Sequence, residues 1–364
     1  MEAALVQAAF AQGRTSPNPP VGAVVVRDGA IIGRGWTQPP GGAHAEVVAL
    51  AEAGPAARGA DLYVTLEPCT IHGRTPPCTD AIIAAGIRRV VIAARDPNPR
   101  FERDAGTVLG AAGIEVAFDH TAEWAATIQT EAFRRWVTTG RPFVTVKYAM
   151  TLDGKIAART GDARWVTGPA ARQHVHVLRD CVDAILVGVG TVLADNPLLT
   201  TRLPAEYWRP VRHPLRVILD SRGRTPPTAA MLQPDVPGAT LIATTDAAAR
   251  RWHESIPGAE VLTLPADAAG RIDLAALLAA LGERSLTSLL VEGGGEIIAS
   301  FVEGGLVDKL IAFIGPKIVG GAGAPSPVGG AGVARMADAT RFKVQSVEQL
   351  GPDIMLTAYP RPAR

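Results

Sequence analysis

Two periodicities alternate along the first part of the chain, and their alternation predicts a layered α/β structure. Short apolar runs predict strands, whereas apolar residues spaced three to four apart predict helices. The predicted strands are Gly22–Arg27, Ala30–Gly35, Asp61–Thr65 and Arg89–Ala93. The predicted helices are Glu2–Gln12, Ala43–Ala53, Thr79–Ala85 and Ala122–Thr138, and two further pieces, Val108–Ala112 and Ile114–Phe118, extend the pattern. Strands that alternate with helices indicate α/β layers.

Turn-forming residues divide this pattern. The dipeptide Asp28-Gly29 predicts a hairpin, and Thr139-Gly140-Arg141-Pro142 interrupts the chain before the alternation restarts. The clearest later strands are Phe143–Lys147, Ala184–Val187, Leu215–Asp220, Thr240–Thr244, Ser288–Val291 and Leu310–Ile314. We therefore expect two domains, residues 1–140 and 141–364. Segment 221–240 is rich in Pro and Arg, and we interpret it as a surface excursion.

Composition narrows the classes of function. A chain of 364 residues can bury two ordinary cores. Lys and Arg total 36 against 35 acidic residues, which favours a small-molecule substrate over nucleic acid. The N-terminus shows no signal peptide, and no run of about 20 apolar residues indicates a membrane span. Three cysteines are too few for a disulfide scaffold, so we expect a soluble cytoplasmic protein.

A candidate metal site stands out in the first half. His44-Ala45-Glu46 opens a predicted helix, Cys69 ends the Glu67-Pro68-Cys69 segment after a strand, and Cys78 opens the next predicted helix. One imidazole and two thiolates are the protein ligand set of a catalytic zinc with an open fourth position. Glu46 can carry protons for the attack of water. This order matches the H-x-E … P-C pattern of zinc nucleobase deaminases, although eight residues separate the two cysteines here.

Interpretations other than a catalytic zinc site are weaker when His44, Cys69 and Cys78 are considered together. A lone His at a helix start is usually an ordinary polar group, and lone cysteines usually fill cores. A structural zinc normally has four protein ligands, and we find only three, since we interpret Cys181 as core packing. Between the cysteines, His72 and Arg74 either bind a phosphorylated substrate or belong to a solvated loop.

The second half carries a glycine-rich turn. Glu292-Gly293-Gly294-Gly295 follows a predicted strand and precedes a helix. Glycines there let backbone N–H groups approach a phosphate, although a plain strand-to-helix turn has the same pattern. Gly188-Val189-Gly190 also follows a strand, but the full dinucleotide-binding fingerprint is absent.

Longer motifs extend through both halves. They are Ser16–Gly22, His44–Glu46, Glu67–Cys69, Gly73–Cys78, Asp96–Pro99, Lys147–Lys155, Gly190–Thr200 and Val291–Gly294. With these motifs in this order, the chain resembles the bifunctional riboflavin-biosynthesis deaminase–reductase family over nearly its whole length.

The resemblance implies a cytidine-deaminase-like α/β/α domain followed by an α/β reductase domain related to dihydrofolate reductase. It implies Zn²⁺ and NADPH as cofactors and a phosphorylated pyrimidine as substrate, with neither nucleic acid nor membrane as a partner. The first reaction would deaminate 2,5-diamino-6-(5-phosphoribosylamino)pyrimidin-4(3H)-one, and the second would reduce its ribosyl group to ribityl. Asn18 would hold the pyrimidine and Arg74 the phosphate. Family analogy also suggests a homo-oligomer, a dimer or larger.

The resemblance also assigns residues in the reductase half. Those expected to contact the cofactor are Ala149, Trp165, Thr191, Asp195, Ser221, Gly294, Gly295, Glu296 and Ile297. Arg179 and Arg202 would hold the substrate phosphate with Leu199 nearby, although without the family we would interpret both as surface arginines. Lys147 and Glu292 lie at the ends of predicted strands, where α/β sites usually form, and we expect them to bind or polarise the ribosyl group.

Several positions depart from the family pattern. Ile71 stands where the family generally has His, Arg103 and Ala105 replace a Gly-x-Gly loop, and Ala163 lacks a hydroxyl. Three other hypotheses therefore stay open: a paralogue with an altered or weakened deaminase, a nucleic-acid deaminase, and a non-enzymatic nucleotide-binding regulator.

Overall fold

A computed structural model of the chain describes residues 1–73, 75–100, 102–250 and 256–361. The chain divides into two compact units. The first comprises Met1–Phe143 together with the distant segment Leu281–Thr287, and the second comprises Val144–Ala280 and Ser288–Arg364. No sequence pattern indicates that residues 281–287 belong with the first unit.

The first unit is built on a five-stranded mixed sheet. Its helices are α1 (Glu2–Ala11), α2 (Ala45–Ala53), α3 (Cys78–Ala85), α4 (Ala105–Ala111), α5 (Glu123–Gln129) and α6 (Glu131–Thr139). Its strands are β1 (Gly22–Arg27), β2 (Ala30–Trp36), β3 (Asp61–Leu66), β4 (Arg89–Ala94) and β5 (Glu115–Phe118), in the order β2-β1-β3-β4-β5. The β1 pairings are antiparallel, whereas β3, β4 and β5 run parallel. The predicted strands and the hairpin at Asp28-Gly29 are confirmed.

Helices in two groups pack on this sheet. α2 contacts α3 and α3 contacts α4, while α1 contacts α5. The core between them is built from small and branched side chains such as Val25, Leu62, Ile82 and Ile92, all fully buried. This arrangement confirms the expected α/β layers and places the start of α2 beside β2.

Gly35 permits the close approach of α2 to β2. A Cβ at Gly35 would collide with the backbone carbonyl of Ala45 and would also crowd Val48, both in the first turns of α2. Because a methyl group is enough to force α2 outward, glycine at this position sets where the beginning of α2 lies.

The prediction of one helix over Ala122–Thr138 is wrong. α5 ends at Gln129 and α6 begins at Glu131, with Thr130 between them at φ −106° and ψ 9°. Thr130 is fully buried, and its hydroxyl donates to the carbonyl of Ala126 at 2.9 Å. A threonine that bonds back to the preceding turn bends a helix, and here a break results.

The second unit is built on a nine-stranded sheet. Its strands are β6 (Phe143–Thr151), β7 (Ala184–Gly188), β8 (Leu215–Leu219), β9 (Thr240–Thr244), β10 (Glu260–Thr263), β11 (Ser288–Val291), β12 (Lys309–Gly315), β13 (Phe342–Leu350) and β14 (Asp353–Pro360). Its helices are α7 (Pro169–Cys181), α8 (Val189–Asp195), α9 (Asp246–Ala249), α10 (Leu274–Glu283) and α11 (Gly295–Glu303), although residues 281–283 at the end of α10 belong to the first unit. The order is β10-β9-β8-β7-β11-β6-β12-β14-β13.

Most of this sheet is parallel. The pairings β10–β9, β9–β8, β8–β7, β7–β11 and β6–β12 are parallel, and β14 pairs antiparallel with β12 and β13. The six strands expected in this half are confirmed. The antiparallel hairpin β13–β14 and strand β10 were not predicted.

The interpretation of segment 221–240 as a surface excursion holds for most of its residues, which are exposed or half-buried, but fails for residues 229–232. Ala229, Met231 and Leu232 are buried in a core cluster with Ile218 and Ile242 of the sheet. A 3-10 turn over Ala230–Leu232 directs these apolar side chains inward, although charged and proline residues surround them in sequence. Within the described residues, none of the helices combines the length and the apolar composition needed to cross a bilayer.

Substitution of Gly35 tests the packing of α2. We expect Gly35→Ala to destabilise the chain by about 1–3 kcal/mol, because the new methyl group overpacks the interface between β2 and α2. Gly110→Ala is the matched control, since a Cβ at Gly110 in α4 meets no atom within 4 Å. Alanine in a helix should raise stability there by roughly 0.5–1 kcal/mol. Denaturant unfolding of both variants measures the effect, and equal stabilities would contradict it.

Candidate active sites

Three potential metal ligands meet at one end of the first sheet. His44 directly precedes α2, Cys69 follows β3, and Cys78 is the first residue of α3. Their ligand atoms all lie within 4.8 Å of one another. His44 Nδ1 is 3.2 Å from the Sγ of Cys78 and 3.6 Å from the Sγ of Cys69. The structure therefore brings the three predicted ligands together.

The geometry of this trio fits zinc. Tetrahedral zinc with ordinary Zn–N and Zn–S bonds places a ligand nitrogen and a ligand sulfur about 3.5 Å apart. The two observed N···S distances, 3.2 and 3.6 Å, lie around that value. Among the described residues no fourth His, Cys, Asp or Glu joins the cluster. Three protein ligands with one position left for water are typical of a catalytic zinc site.

Hydrogen bonds prepare Cys69 for the thiolate state. The backbone N–H of Cys78, at the start of α3, donates to the Sγ of Cys69 at 3.2 Å. The side chain of Cys78 favours the charged form of Cys69 most, and the side chain of His44 and this backbone N–H add to the effect. Together they lower the pKa of Cys69 to about 5, although burial opposes the shift. A thiolate is the form that binds a metal.

Glu46 lies in the first turn of α2, two residues after His44, and is 4% exposed. Burial raises its pKa to about 7, and the nearby charge of Cys69 adds to the increase, which His44 opposes. A carboxyl group with a pKa near neutrality can both accept and return a proton at physiological pH. Its position and acidity therefore suit the proton-transfer role predicted for it.

A cleft of about 590 Å³ extends from these residues. Asn18, Glu46, Cys69 and Ile71 line it, so the predicted pyrimidine-binding residue and the departure at Ile71 face the same space as the metal trio. Arg74, the predicted phosphate-binding residue of this site, lies outside the described residues.

Residues that sequence reasoning missed form another wall of the cleft. Gly282, Glu283 and Ser285 line it beside Trp136. The indole N–H of Trp136 donates to the carbonyl of Gly282 at 2.9 Å, and a Cβ at Gly282 would collide with the carbonyl of Gly140. This wall has no local sequence signal, because it arises from contacts between residues about 140 positions apart.

Two further carboxylates support the floor of the cleft. Glu67 is buried, and it accepts hydrogen bonds from the backbone N–H groups of Ala105 at 2.9 Å and Asp96 at 3.3 Å. Asp96 lines the cleft, and burial raises its pKa to about 6. Glu67 begins the motif Glu67–Cys69, and Asp96 begins the motif Asp96–Pro99. Membership of these motifs is the sequence signal that could have marked them as site residues.

The second unit contains a buried cluster of charges around Glu292. The side chain of Glu292 is 5% exposed and directly follows β11. Arg179 of α7 donates from Nε to Oε1 at 2.8 Å and from Nη2 to Oε2 at 2.9 Å, and Lys147 Nζ donates to Oε2 at 3.1 Å. Burial by itself would raise the pKa of Glu292, but the charges of Arg179 and Lys147 hold it well below its ordinary value.

This cluster corrects two expectations, the strand-end position of Lys147 and the surface position of Arg179. Lys147 does not end a strand, because β6 continues to Thr151 and leaves it mid-strand. Arg179 is not a surface residue; besides pairing with Glu292, it donates from Nη1 to the carbonyl of Thr200 at 3.1 Å. Arg202 lies two residues further on, and Nη1 of its exposed side chain donates to the hydroxyl of Thr200 at 3.2 Å.

The predicted cofactor residues fall into two regions. The glycine turn after β11 lies against α8, because a Cβ at Gly293 would contact Val187 and Thr191. Ile297 also approaches Gly188 at the end of β7, so Thr191, Gly294 and Ile297 lie together. Gly294, at φ +65°, precedes Gly295 and Glu296, which begin the nine-residue helix α11. This close backbone approach at a helix N-terminus fits a bound phosphate group.

Ser221 lies elsewhere. It lines a separate cleft of about 470 Å³ with Arg222 and Thr245, beyond the carboxyl ends of β8 and β9. Trp165 is 59% exposed, with the guanidinium of Arg172 4.4 Å above its ring. Ala149 packs against the core cluster that contains Phe313, and Asp195 is exposed at the end of α8.

The interpretation of Cys181 as core packing is wrong. Cys181 ends α7 and is only half-buried. Its Sγ accepts a hydrogen bond from Arg209 Nη2 at 3.3 Å, and Arg209 also pairs with the buried carboxylate of Asp180. The cysteine therefore belongs to a polar network at the end of the helix.

Two family descriptions match the chain. Residues 1–94 match the cytidine and deoxycytidylate deaminase zinc-binding region. Residues 142–356 match the RibD C-terminal domain. The first match contains His44, Glu46, Cys69 and Cys78, and the second contains the Glu292 cluster.

Full-length relatives are similar as well. The riboflavin biosynthesis protein RibD of Bacillus amyloliquefaciens is 43% identical over 363 residues, covering 99% of this chain and 95% of that protein. The structure of Acinetobacter baumannii RibD, form 1, is 36% identical with a TM-score of 0.86, covering 99% of this chain and 97% of that one. A diaminohydroxyphosphoribosylaminopyrimidine deaminase/5-amino-6-(5-phosphoribosylamino)uracil reductase from Thermotoga maritima is 38% identical with a TM-score of 0.86 and the same coverage.

Removal of the charge on Glu292 tests the buried cluster. We expect Glu292→Gln to cost about 3–5 kcal/mol at pH 7, because Lys147 and Arg179 lose their counter-charge. The folded state lowers the pKa of Glu292, so its ion pairs stabilise the fold above the ordinary value of 4.5 and are lost as the pH falls below that value.

The difference in free energy of unfolding between the wild type and Glu292→Gln should therefore shrink below about pH 4.5. Denaturant unfolding from pH 7 to pH 3 measures it. Glu303→Gln, at an exposed position of α11, should change stability little. A difference that stays constant over this pH range would contradict the assignment.

Proposed function

Because the chain belongs to the RibD family of bifunctional riboflavin-biosynthesis proteins, we propose how its two sites divide the reactions. The protein is a deaminase and a reductase. We assign hydrolytic deamination of 2,5-diamino-6-(5-phosphoribosylamino)pyrimidin-4(3H)-one to the first site, with Zn²⁺, and reduction of the ribosyl group to ribityl to the second, with NADPH. The observation that carries this proposal is the trio His44, Cys69 and Cys78 with buried Glu46 beside it.

The deaminase reaction replaces a ring amino group by oxygen from water. Zn²⁺ held by the three ligands would lower the pKa of a bound water and so supply the nucleophile. Glu46 accepts the proton that this water loses and passes it to the departing amino group, which leaves as ammonia. Burial of Glu46, which disfavours its charged form, favours uptake of this proton.

The cleft supports binding of the ring beside Glu46. Asn18, which can both donate and accept hydrogen bonds, holds the pyrimidine, and Ile71 offers only an apolar surface. Arg74 holds the phosphate from the loop between the two cysteines. Ile71 therefore shifts recognition of this substrate to Asn18 and to the remaining polar groups of the cleft.

The reductase reaction takes place at the Glu292 cluster. Gly294, Gly295, Glu296 and Ile297 at the N-terminus of α11 would hold the pyrophosphate of NADPH, and the cofactor would supply the hydride. Ala149, Trp165, Thr191, Asp195 and Ser221 complete the proposed cofactor contacts. Lys147 Nζ, held at 3.1 Å by Glu292, binds and polarises the ribosyl oxygen. Arg179 and Arg202 hold the substrate phosphate, with Leu199 nearby.

Substitution of Glu46 tests the deaminase assignment. We expect Glu46→Gln to slow ammonia release by roughly 10²–10⁴-fold, because an amide cannot carry the proton. Reduction of added 5-amino-6-(5-phosphoribosylamino)uracil by the same preparation should be unchanged, which shows that the variant is folded. Wild-type rates of ammonia release from Glu46→Gln would refute the proton-transfer role.

Metal content tests the ligand trio. The wild type should retain one zinc per chain after dialysis, as measured by elemental analysis, and Cys78→Ser should lose it, since removing one of three ligands weakens binding strongly. Cys181→Ser is the matched control, because Cys181 lies in the second unit beside Arg209. Retention of zinc by Cys78→Ser, or its loss from Cys181→Ser, would count against the site.

A further inference from the structure

Three side chains from other parts of the chain hold the loop Leu199–Arg202, called here the 199–202 loop. Arg179 Nη1 donates to the carbonyl of Thr200 at 3.1 Å. The backbone N–H of Thr201 donates to Nδ1 of His213 at 3.2 Å, and the backbone N–H of Arg202 donates to Nδ1 of His176 at 3.2 Å. Three consecutive residues of the loop are thus fixed through their backbone.

The beginning of the loop is fixed as well. Leu199 has φ +53°, in the left-handed region that a branched side chain rarely occupies, and it is buried in the core cluster with Val189 and Ile218. Packing thus holds one end of the loop, and hydrogen bonds hold the other. An unusual backbone conformation of this kind persists only where its surroundings enforce it.

The two histidines act as neutral acceptors. A ring nitrogen that accepts a backbone N–H carries no proton, so each ring is protonated at Nε2 alone. Burial, together with the charges of Arg179, Arg202 and Lys147, lowers the pKa of His176 to about 4 even though Glu292 opposes the shift. Burial and Arg216 likewise lower the pKa of His213, against Asp180. Both rings therefore remain acceptors at neutral pH.

The charges around His176 leave an excess of positive charge. Lys147, Arg179 and Arg202 are cations, and within the described part of the chain Glu292 is the carboxylate that pairs with the first two. The guanidinium of Arg202 is the exposed member of this group. A phosphate dianion would balance the surplus, and Arg202 could bind it only if the guanidinium is held in one place.

We propose that His176 is a positioning residue for the reductase reaction: by accepting the backbone N–H of Arg202 it fixes that guanidinium where the substrate phosphate binds. His213 gives the preceding residue, Thr201, the same support. A cationic residue at position 176 could not accept this hydrogen bond and would add repulsion, whereas a neutral acceptor at the Nδ1 position does neither. This inference rests on the proposed reductase function.

Substitutions of His176 that differ only in where an acceptor lies provide the test. In His176→Asn the amide oxygen can take the place of Nδ1, in His176→Gln it lies one bond further out, and His176→Phe keeps a ring without an acceptor. Each variant is assayed for NADPH-dependent reduction of 5-amino-6-(5-phosphoribosylamino)uracil, with KM and kcat determined separately, and for inhibition by inorganic phosphate.

We expect His176→Phe and His176→Gln to raise KM for this substrate roughly 5–10-fold, the effect of losing one hydrogen bond that holds the loop. Inhibition by phosphate should weaken in parallel, while KM for NADPH and the rate of deamination stay at wild-type values. His176→Asn should recover KM to within about threefold of the wild type, because the acceptor is restored. His174→Asn is the control on the same helix, since His174 packs against Phe313.

The proposal is overturned if KM for the phosphorylated substrate is unchanged in both His176→Phe and His176→Gln. It is also overturned if His176→Asn and His176→Gln raise KM equally, because the position of the acceptor would then not matter. A fall in thermal stability without a change in KM would likewise indicate a merely structural role. Should His176→Phe fail to fold, the comparison of Asn with Gln decides. A wild-type chain that oxidises no NADPH with this substrate would refute the proposed function itself, a result that is distinct from any of these.

Discussion

Each unit of this chain buries a carboxylate, and the chemistry of each site depends on what that carboxylate is paired with. An ionised carboxylate loses several kcal/mol of hydration on burial unless partners replace it. Glu292 has two cationic partners, Arg179 and Lys147, which keep it ionised. The carboxylate in turn holds both cations in place. At Glu46, burial and the charge of Cys69 outweigh the opposing charge of His44 and the hydrogen bonds to the carboxylate, so its pKa rises to about 7. The same cost of burial therefore produces a fixed anion in one site and an exchangeable proton in the other.

Sheet topology explains where these two sites lie. Cys69 follows the carboxyl end of β3, and Glu292 follows the carboxyl end of β11. Each of these strands is parallel to a neighbouring strand, β3 to β4 and β11 to β7. Side chains and backbone N–H groups converge at that edge of a parallel sheet, where helices begin. α2, α3 and α11 all begin in this way, and their first residues supply Glu46, Cys78 and the glycine turn. Glycine at position 35 lets α2 come close enough to β2 for His44 to meet the two thiols.

Local patterns predicted the parts of the structure that depend on local sequence. Most strands of the two sheets follow from short segments whose residue types suit one structure, and the trio His44, Cys69 and Cys78 follows from residue types that suit one ligand. The predictions failed where a distant contact decides the outcome. Thr130 breaks a helix through its buried hydroxyl, and Met231 is buried although prolines and arginines flank its segment. No local signal could place Gly282, Glu283 and Ser285 in the cleft, or His176 against the backbone of Arg202.

The central claim is that one chain carries out two reactions in order at two different sites. It is tested most directly by supplying purified protein with the diaminopyrimidine ribosyl phosphate, with and without NADPH, and following ammonia and NADPH together. We predict that ammonia is released at the same rate in both cases, and that NADPH is oxidised after a lag in a final ratio of one per ammonia. If NADPH were required for ammonia release, or were oxidised before any ammonia appeared, the account of two separate sites acting in this order would be contradicted.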